Sequence, residues 1–322
     1  MQQVLPMQFR TLKSLIEYAL FLPVNRIARA LSYRGAGKLG SALGGFVWRC
    51  AGYRKKISLD NLTHAFPGKP QAELRAIARG AYRGYGRALM EMLWSGGAGE
   101  EELRSTMTLE NPQVPLDALA RGKGLILLSG HFGAWEFIVT SMSLRLGRPV
   151  VAIAQPQRNS YIDAVITANR NRFGSGTVTM HESVREVMKL LRAGKIVGML
   201  GDQSGSKESL FIEFFGRPAA THRGAAAFSL KCNTPIVMFF FIRQPDGTYR
   251  TVYEEVDREG LTGASEENIV ELTRRHTAVL ERYIRQYPDH WLWMHKRWKH
   301  TGYYQSRAGA TGRSGPSGQS VR

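Results

Sequence analysis

Cysteine is nearly absent: Cys50 and Cys232 are the only two in 322 residues, and they lie far apart. A disulfide scaffold and a cysteine-built zinc site are excluded, and a reducing compartment is the expected setting. Acidic residues are scarce beside basic ones, 26 Asp and Glu against 44 Lys and Arg, a net charge of +18. A surplus of that size calls for an anionic partner: nucleic acid, an anionic membrane surface or an acidic substrate. Long apolar runs are missing too. A spanning helix needs roughly 18–20 nearly uncharged apolar residues. The longest uncharged stretches, Gly124–Trp135 and Cys232–Ile242, are shorter and read as buried strands with their turns. No short apolar run with a small-residue cleavage site marks a secretory signal. A P-loop, a zinc-protease helix motif and a G-x-S-x-G elbow are all lacking, and the histidines show no metal-ligand spacing. No metal or redox cofactor is expected.

Gly35-Ala-Gly37-Lys-Leu-Gly40 matches the letters of the dinucleotide fingerprint. It follows a helical pattern rather than a strand, so a glycine-rich helix–helix turn explains it better.

The charge that is present is concentrated at the N-terminus. Residues 1–58 hold ten Lys and Arg and one acid, Glu17. Within them Leu12–Leu31 places Leu12, Leu15, Ile16, Ala19, Leu20, Ile27, Ala30 and Leu31 at helical spacing. That pattern predicts an amphipathic helix, with a break near Pro23 as one option. Such a helix suits an anionic bilayer, and it equally suits packing on its own domain with a solvated basic face.

Residues 10–95 read as helical, with turns at Ser32–Gly37 and Pro67–Pro70 and a long helix over Gln71–Trp94. From about residue 105, β-rich runs at Gly124–Ser129, Pro149–Ala154, Thr177–Met180, Lys195–Leu200 and Pro235–Ile242 alternate with helical stretches, and Glu266–Arg285 is a further helix. The fold class expected is α/β: a mostly parallel central sheet flanked by helices, with a helical N-terminal region. Residues 1–305 are read as one domain and 306–322, rich in Gly, Ser and Arg, as a disordered tail.

The segment that carries chemistry is Ser129-Gly-His131-Phe-Gly-Ala-Trp-Glu136. His131 follows an apolar strand, at the edge where open α/β sheets bind ligands. Glu136, five residues on, is placed to reach back to the imidazole, fix its tautomer and free the other nitrogen as a base. The same spacing is met by a histidine that caps the next helix beside a surface glutamate.

With its context, this segment resembles the glycerolipid acyltransferase superfamily and, more specifically, the bacterial lipid A biosynthesis (lauroyl/myristoyl-type) acyltransferase family. Other stations agree in order: Asn61-Leu-Thr-His-Ala-Phe-Pro67, Arg170-Asn-Arg172-Phe-Gly174, Gly201-Asp202-Gln203, Phe214-Phe-Gly-Arg217-Pro with Thr221, and Trp293-Met-His-Lys-Arg-Trp-Lys299. The resemblance implies transfer of a fatty acyl group from a thioester on acyl carrier protein or coenzyme A to a hydroxyl of a membrane glycolipid. A lipid A precursor is the first expectation; another glycolipid or a lysophospholipid is the alternative. His131 would be the general base and Glu136 its orienting partner. Arg170, or Arg172 in its place, would face the oxyanion or bind substrate. Asp202, with Gln203 beside it, would match an acid needed for activity, or else cap the turn. Arg158 and Arg217 are candidates for phosphate, or ordinary surface arginines. Phe211, Phe214 and Phe215 are candidates for an acyl groove, or ordinary core residues. The expected location is the cytoplasmic face of the bacterial inner membrane, peripheral or held by one N-terminal anchor. The Trp and Lys/Arg alternation over Trp291–Lys299 suits an interfacial belt, or tryptophans packed inward. From another class, a non-catalytic basic protein that binds membrane or nucleic acid fits the charge. No stacking signature or recognised nucleic-acid fold supports it, so nucleic acid is not expected as a partner.

Overall fold

A computed structural model describes residues 11–179 and 183–311. Helices α1 (Leu12–Ala30), α2 (Tyr33–Phe46), α3 (Lys55–Ala65) and α4 (Gln71–Ser95) form the N-terminal region. They are followed by α5 (Glu100–Ser105), β1 (Met107–Leu109), α6 (Gln113–Ala120), β2 (Leu125–Ser129), α7 (Ile138–Leu146), β3 (Val150–Ala154) and α8 (Ser160–Arg170). Then come β4 (Gly176–Thr179), α9 (Ser183–Arg192), β5 (Ile196–Leu200), β6 (Leu210–Phe214), β7 (Arg217–Thr221) and α10 (Gly224–Cys232). The chain closes with β8 (Ile236–Arg243), β9 (Tyr249–Glu255), α11 (Glu266–Gln286) and α12 (Thr301–Thr311).

Seven strands form one sheet in the order β1-β9-β8-β2-β5-β3-β4, and β6 and β7 pair as a separate hairpin. The strands from β8 to β4 run parallel, and β9 lies antiparallel to β8. The expected mostly parallel sheet flanked by helices is what forms. Its central strands are buried on both faces, which is why they read as unbroken apolar runs rather than alternations. Successive residues nonetheless divide between two cores. Ile126, Leu128, Val197, Met199, Met238 and Phe240 meet α9, α10 and α11 on one face. Leu125, Leu127, Ile196, Val237 and Phe239 meet α5, α6 and α7 on the other.

The five β-rich runs of the sequence reading all contain strands, with Met180 outside the described residues. Strands β1, β6, β7 and β9 escape it. The short β1 offers little pattern, and β6, β7 and β9 carry Pro or charged residues on a half-exposed face. Helix α1 runs through Pro23 without a break, at the loss of one N–H donor. Among the described residues no helix is long and apolar enough to cross a membrane. Helix α12 takes in residues 306–311 of the segment read as a tail, and 312–322 lie outside the described residues.

The glycine-rich segment is not a turn. Only Ser32 is, as the N-cap that accepts from Gly35 N, and Gly35, Gly37 and Gly40 lie inside α2. Their role is close helix packing. A Cβ on Gly40 would sit 2.4 Å from Gly86 O, and one on Gly44 would sit 2.0 Å from Tyr82 O. The two backbones touch, which no larger residue permits. Gly44→Ala therefore separates α2 from α4 and should destabilise the protein by about 1–3 kcal/mol in chemical denaturation. Gly45→Ala, whose Cβ would meet nothing nearer than 3.7 Å, should cost nothing. Equal stability of the two variants would refute this packing.

Candidate active site

Parallel pairing of β2 with β5 places Ser129 opposite Leu200. The same register, carried two residues past both strand ends, brings His131 opposite Asp202. The side chains meet: His131 Nδ1 is 2.8 Å from Asp202 Oδ1, and the His131 backbone N–H donates to Asp202 Oδ2 at 2.9 Å. Trp291 Nε1–H donates to the same Oδ2 at 2.8 Å. A carboxylate cannot donate, so the imidazole carries its proton on Nδ1 and exposes the lone pair of Nε2. The Gln203 side-chain amide lies 3.1 Å from that nitrogen and is the donor to it.

Electrostatics follow from this contact. Asp202 is 2% exposed. Burial would raise its pKa, but the His131 and Trp291 donors outweigh burial and hold it below the ordinary carboxylate range. For His131, burial opposes the imidazolium, and Asp202 outweighs burial, so the ring titrates above its ordinary 6.5. A helix N-terminus beside the ring would favour its neutral form. The chain after His131 runs as a loop through Gly133, with φ of 59°, into a 3-10 turn at Trp135–Phe137 before α7 begins. No long helix dipole reaches the ring.

Glu136 is not the carboxylate on His131. It sits in that 3-10 turn, and its bonds go to Arg170, the last residue of α8: Nη2 to Oε2 at 2.8 Å, Nη2 to Oε1 at 3.0 Å and Nε to Oε2 at 3.3 Å. The pair is half-buried at the rim of a second, apolar pocket lined by Val139, Ala152, Ile153, Ala154, Met199 and Leu200. Trp135 belongs to this pocket and to the cavity in front of His131, and so joins them. That first cavity also holds Tyr85, Arg243, His290 and Trp291, none of which was singled out from sequence as a site residue. They come from α4, the end of β8 and the segment after α11, and only the fold brings them together.

Arg172 is turned away: its guanidinium donates to the backbone carbonyls of Ser95 and, at 2.7 Å, Ala98, pinning the end of α4. Arg158 is exposed on the loop before α8, and Arg217 is exposed at the start of β7. Neither lines the cavity at His131 or the apolar pocket. Phe214 and Phe215 are core residues packed on Trp291, Trp293 and Trp298, while Phe211 stacks on Tyr304. None lines either pocket. Trp291 and Trp293 are fully buried, so the inward reading of that cluster holds and the interfacial belt does not.

The other sequence stations form the scaffold behind Asp202. Asn61 Nδ2 donates to the carbonyls of Trp293 and His295, each at 2.8 Å. His295 Nε2 accepts from Ser204 N, just past Gln203. Burial lowers His295 to about 4 and keeps it neutral for that bond. Arg297, 1% exposed, donates to Ala220 O and to Thr221 Oγ1. Among the described residues no cluster of His, Cys, Asp and Glu could hold a metal ion.

Comparison with known proteins finds relatives along most of the chain. The sequence profile of a family described as bacterial lipid A biosynthesis acyltransferase matches residues 6–300. The chain is 24% identical to the lipid A biosynthesis palmitoleoyltransferase of Escherichia coli K12, over 81% of this chain and 84% of that one. It is 23% identical to a lipid A biosynthesis acyltransferase of Haemophilus influenzae, over 81% of each chain. It is also 23% identical to the E. coli K12 lipid A biosynthesis myristoyltransferase, over 79% of this chain and 78% of that one.

The His131–Asp202 contact has a direct spectroscopic consequence. Histidine NMR should find His131 titrating above 6.5, and Asp202→Asn should lower that value, because only the weaker pull of Glu136 then opposes burial. A titration unmoved by Asp202→Asn would overturn the pairing.

Proposed function

The chain belongs to the bacterial lipid A biosynthesis acyltransferase family, and from that premise we propose that His131 and Asp202 are its catalytic base and orienting acid. The protein is an acyltransferase acting on a lipid A precursor. The observation that carries the assignment of roles is the ionised, buried Asp202 on Nδ1 of His131, with Nε2 turned to a cavity.

The chemistry follows from that geometry. A lipid hydroxyl displaces the Gln203 amide and bonds to His131 Nε2. As its oxygen attacks the thioester carbonyl, Nε2 takes its proton. Asp202 remains ionised and stabilises the imidazolium through Nδ1–H. The tetrahedral intermediate collapses, the C–S bond breaks, and the imidazolium returns the proton to the departing thiolate. The donor is a thioester on acyl carrier protein or coenzyme A. Its acyl chain fits the apolar pocket of Ala152, Ile153, Met199 and Leu200, where each buried methylene contributes about 0.8 kcal/mol. Arg170, at the rim, supplies positive charge to the developing oxyanion, and Glu136 fixes the plane of its guanidinium. Glu136 thus bonds to Arg170 and acts on His131 only through space, where its charge favours the imidazolium.

The surface beside this site supports a peripheral position on an anionic membrane. Leu12, Ile16, Leu20, Val24 and Ile27 recur along one side of α1 with 40–74% exposure. Leu43, Phe46 and Tyr53 add further exposed apolar groups, and Lys13, Arg26, Arg49 and Lys56 are exposed nearby in sequence. Apolar groups of this size with basic neighbours favour the interfacial plane of an anionic leaflet, here the cytoplasmic one.

Two measurements test the reading. With purified protein and a lipid A precursor, His131→Ala should lower turnover by about 10²–10⁴ while circular dichroism stays unchanged. The wild-type rate should rise with pH through a value above 6.5, as His131 loses its proton, and Asp202→Asn should move that limb to lower pH with a lower plateau. A folded His131→Ala enzyme at near wild-type rate would sink the mechanism. In flotation with phosphatidylglycerol vesicles, Leu20→Glu combined with Ile27→Glu should weaken binding at least tenfold, since each exposed side chain buries about 1.5–3 kcal/mol of apolar surface in lipid. Unchanged flotation would rule out α1 as the docking element.

A further inference from the structure

We propose that a third cavity, sharing Gly84 and Arg243 with the one in front of His131, binds a phosphate ester group. Its wall carries three guanidinium groups, Arg83 and Arg87 of α4 and Arg243 at the end of β8, against one carboxylate, Asp289. Two of the arginines are held from behind. Arg87 Nε donates to Glu91 at 2.6 Å and its Nη2 to Gly247 O at 2.8 Å. Arg243 Nη2 donates to Asp289 Oδ2 at 3.2 Å, while Asp289 Oδ1 lies 2.8 Å from His290 Nδ1. His290 Nε2 accepts the Arg243 backbone N–H, so His290 is the donor to Asp289. These bonds fix the two forks and leave further N–H groups of each to the cavity.

Arg83 supplies the surplus charge. It is exposed and makes no ion pair among the described residues. Counting Glu91 behind Arg87, three cations meet two carboxylates, and the unbalanced one projects from the same helix face as Arg87. Planar, pre-positioned guanidinium forks suit the oxygens of a phosphate better than a single carboxylate or a neutral sugar. Two small residues keep the way open. A Cβ at Gly84 would sit 3.0 Å from Arg243 Nη1, and one at Gly80 would sit 2.8 Å from Asp289 Cβ. A molecule with its hydroxyl or thioester at His131 can therefore extend past Gly84 and set a phosphate among the arginines.

Its link to catalysis rests on the acyl-transfer reading above; the phosphate site itself does not. The phosphate comes either from a phosphorylated lipid acceptor or from the carrier arm of the donor. Inorganic phosphate titrated into the full-length protein by calorimetry, at fixed ionic strength in chloride, should show one saturable site. Arg83→Gln, an exposed change that spares the fold, should weaken it about tenfold, as expected for loss of one charge-assisted contact. No saturable binding, or equal binding by Arg83→Gln, overturns the proposal. In kinetics, a raised KM for a phosphorylated acceptor, absent for the same acceptor without phosphate, assigns the site to the acceptor. A raised KM for the thioester alone assigns it to the donor. Phosphate binding with both KM values unchanged overturns the role at this site. Phosphate binding by a wild-type protein that transfers no acyl group would refute the acyl-transfer reading and leave the anion site standing.

Discussion

A carboxylate buried away from water must be paired or it will not stay charged, and Asp202 sets that constraint for this molecule. Its charge is met by two donors of His131 and one of Trp291. Removing any of them would leave a buried anion short of a partner, a loss larger than the bond itself contributes. The three donors come from two chain regions, the loop after β2 and the segment after α11. Asp202 thus ties the C-terminal edge of the sheet to the segment between α11 and α12. Gly130 is part of the same arrangement. A Cβ there would lie 3.0 Å from both Asp202 Cβ and Cγ, so only glycine lets the carboxylate reach the His131 backbone.

The scaffold around that contact is built from inexpensive local choices made consistently. Contacts from Asn61 and Arg297 hold the Trp291–Arg297 segment in place, so that Trp291 presents its indole N–H to Asp202. The glycines of α2 and α4 bring two helix backbones together. Glu91, wholly buried between them, is bonded to Arg87 and to Tyr249 of β9. Burial pushes the Glu91 carboxyl up to about 7, against the opposing pull of Arg87. This network anchors α4 to the sheet. Helix α4 in turn supplies Ala81, Gly84 and Tyr85 to the cavity at His131 and Arg83 and Arg87 to the cavity beside it.

Much of this was legible in the sequence, and the misses have a common cause. Strands buried on both faces announce themselves as apolar runs, so β2, β3, β4, β5 and β8 could be read. Half-exposed β9 and the hairpin of β6 and β7 could not. His131 was found because it ends such a run. The carboxylate bonded to it is not the one that spacing suggests, because proximity along the chain differs from proximity across the sheet. Glu136 is five residues away, but the loop through Gly133 carries it toward α8. Asp202 is 71 residues away and adjacent, because β5 pairs with β2 in a register no local pattern encodes. The family resemblance does point to Asp202, as the acid of the Gly201-Asp202-Gln203 turn, with a turn cap as the alternative. The tryptophans were open between lipid and core, and their burial decides for the core.

The two carboxylates at this sheet edge therefore have separate partners, His131 for Asp202 and Arg170 for Glu136. Asp202 is buried, ionised and bonded to a ring whose other nitrogen faces a cavity, which is the environment of a group that orients a base. Glu136 is half-buried and forked onto a guanidinium, which is the environment of a group that aims a cation. The separation also keeps the positive charge of Arg170 with its own anion, so it does not bear directly on His131 as the ring takes up a proton. Trp135, which lines both pockets, connects the cavity at His131 to the apolar pocket at Arg170.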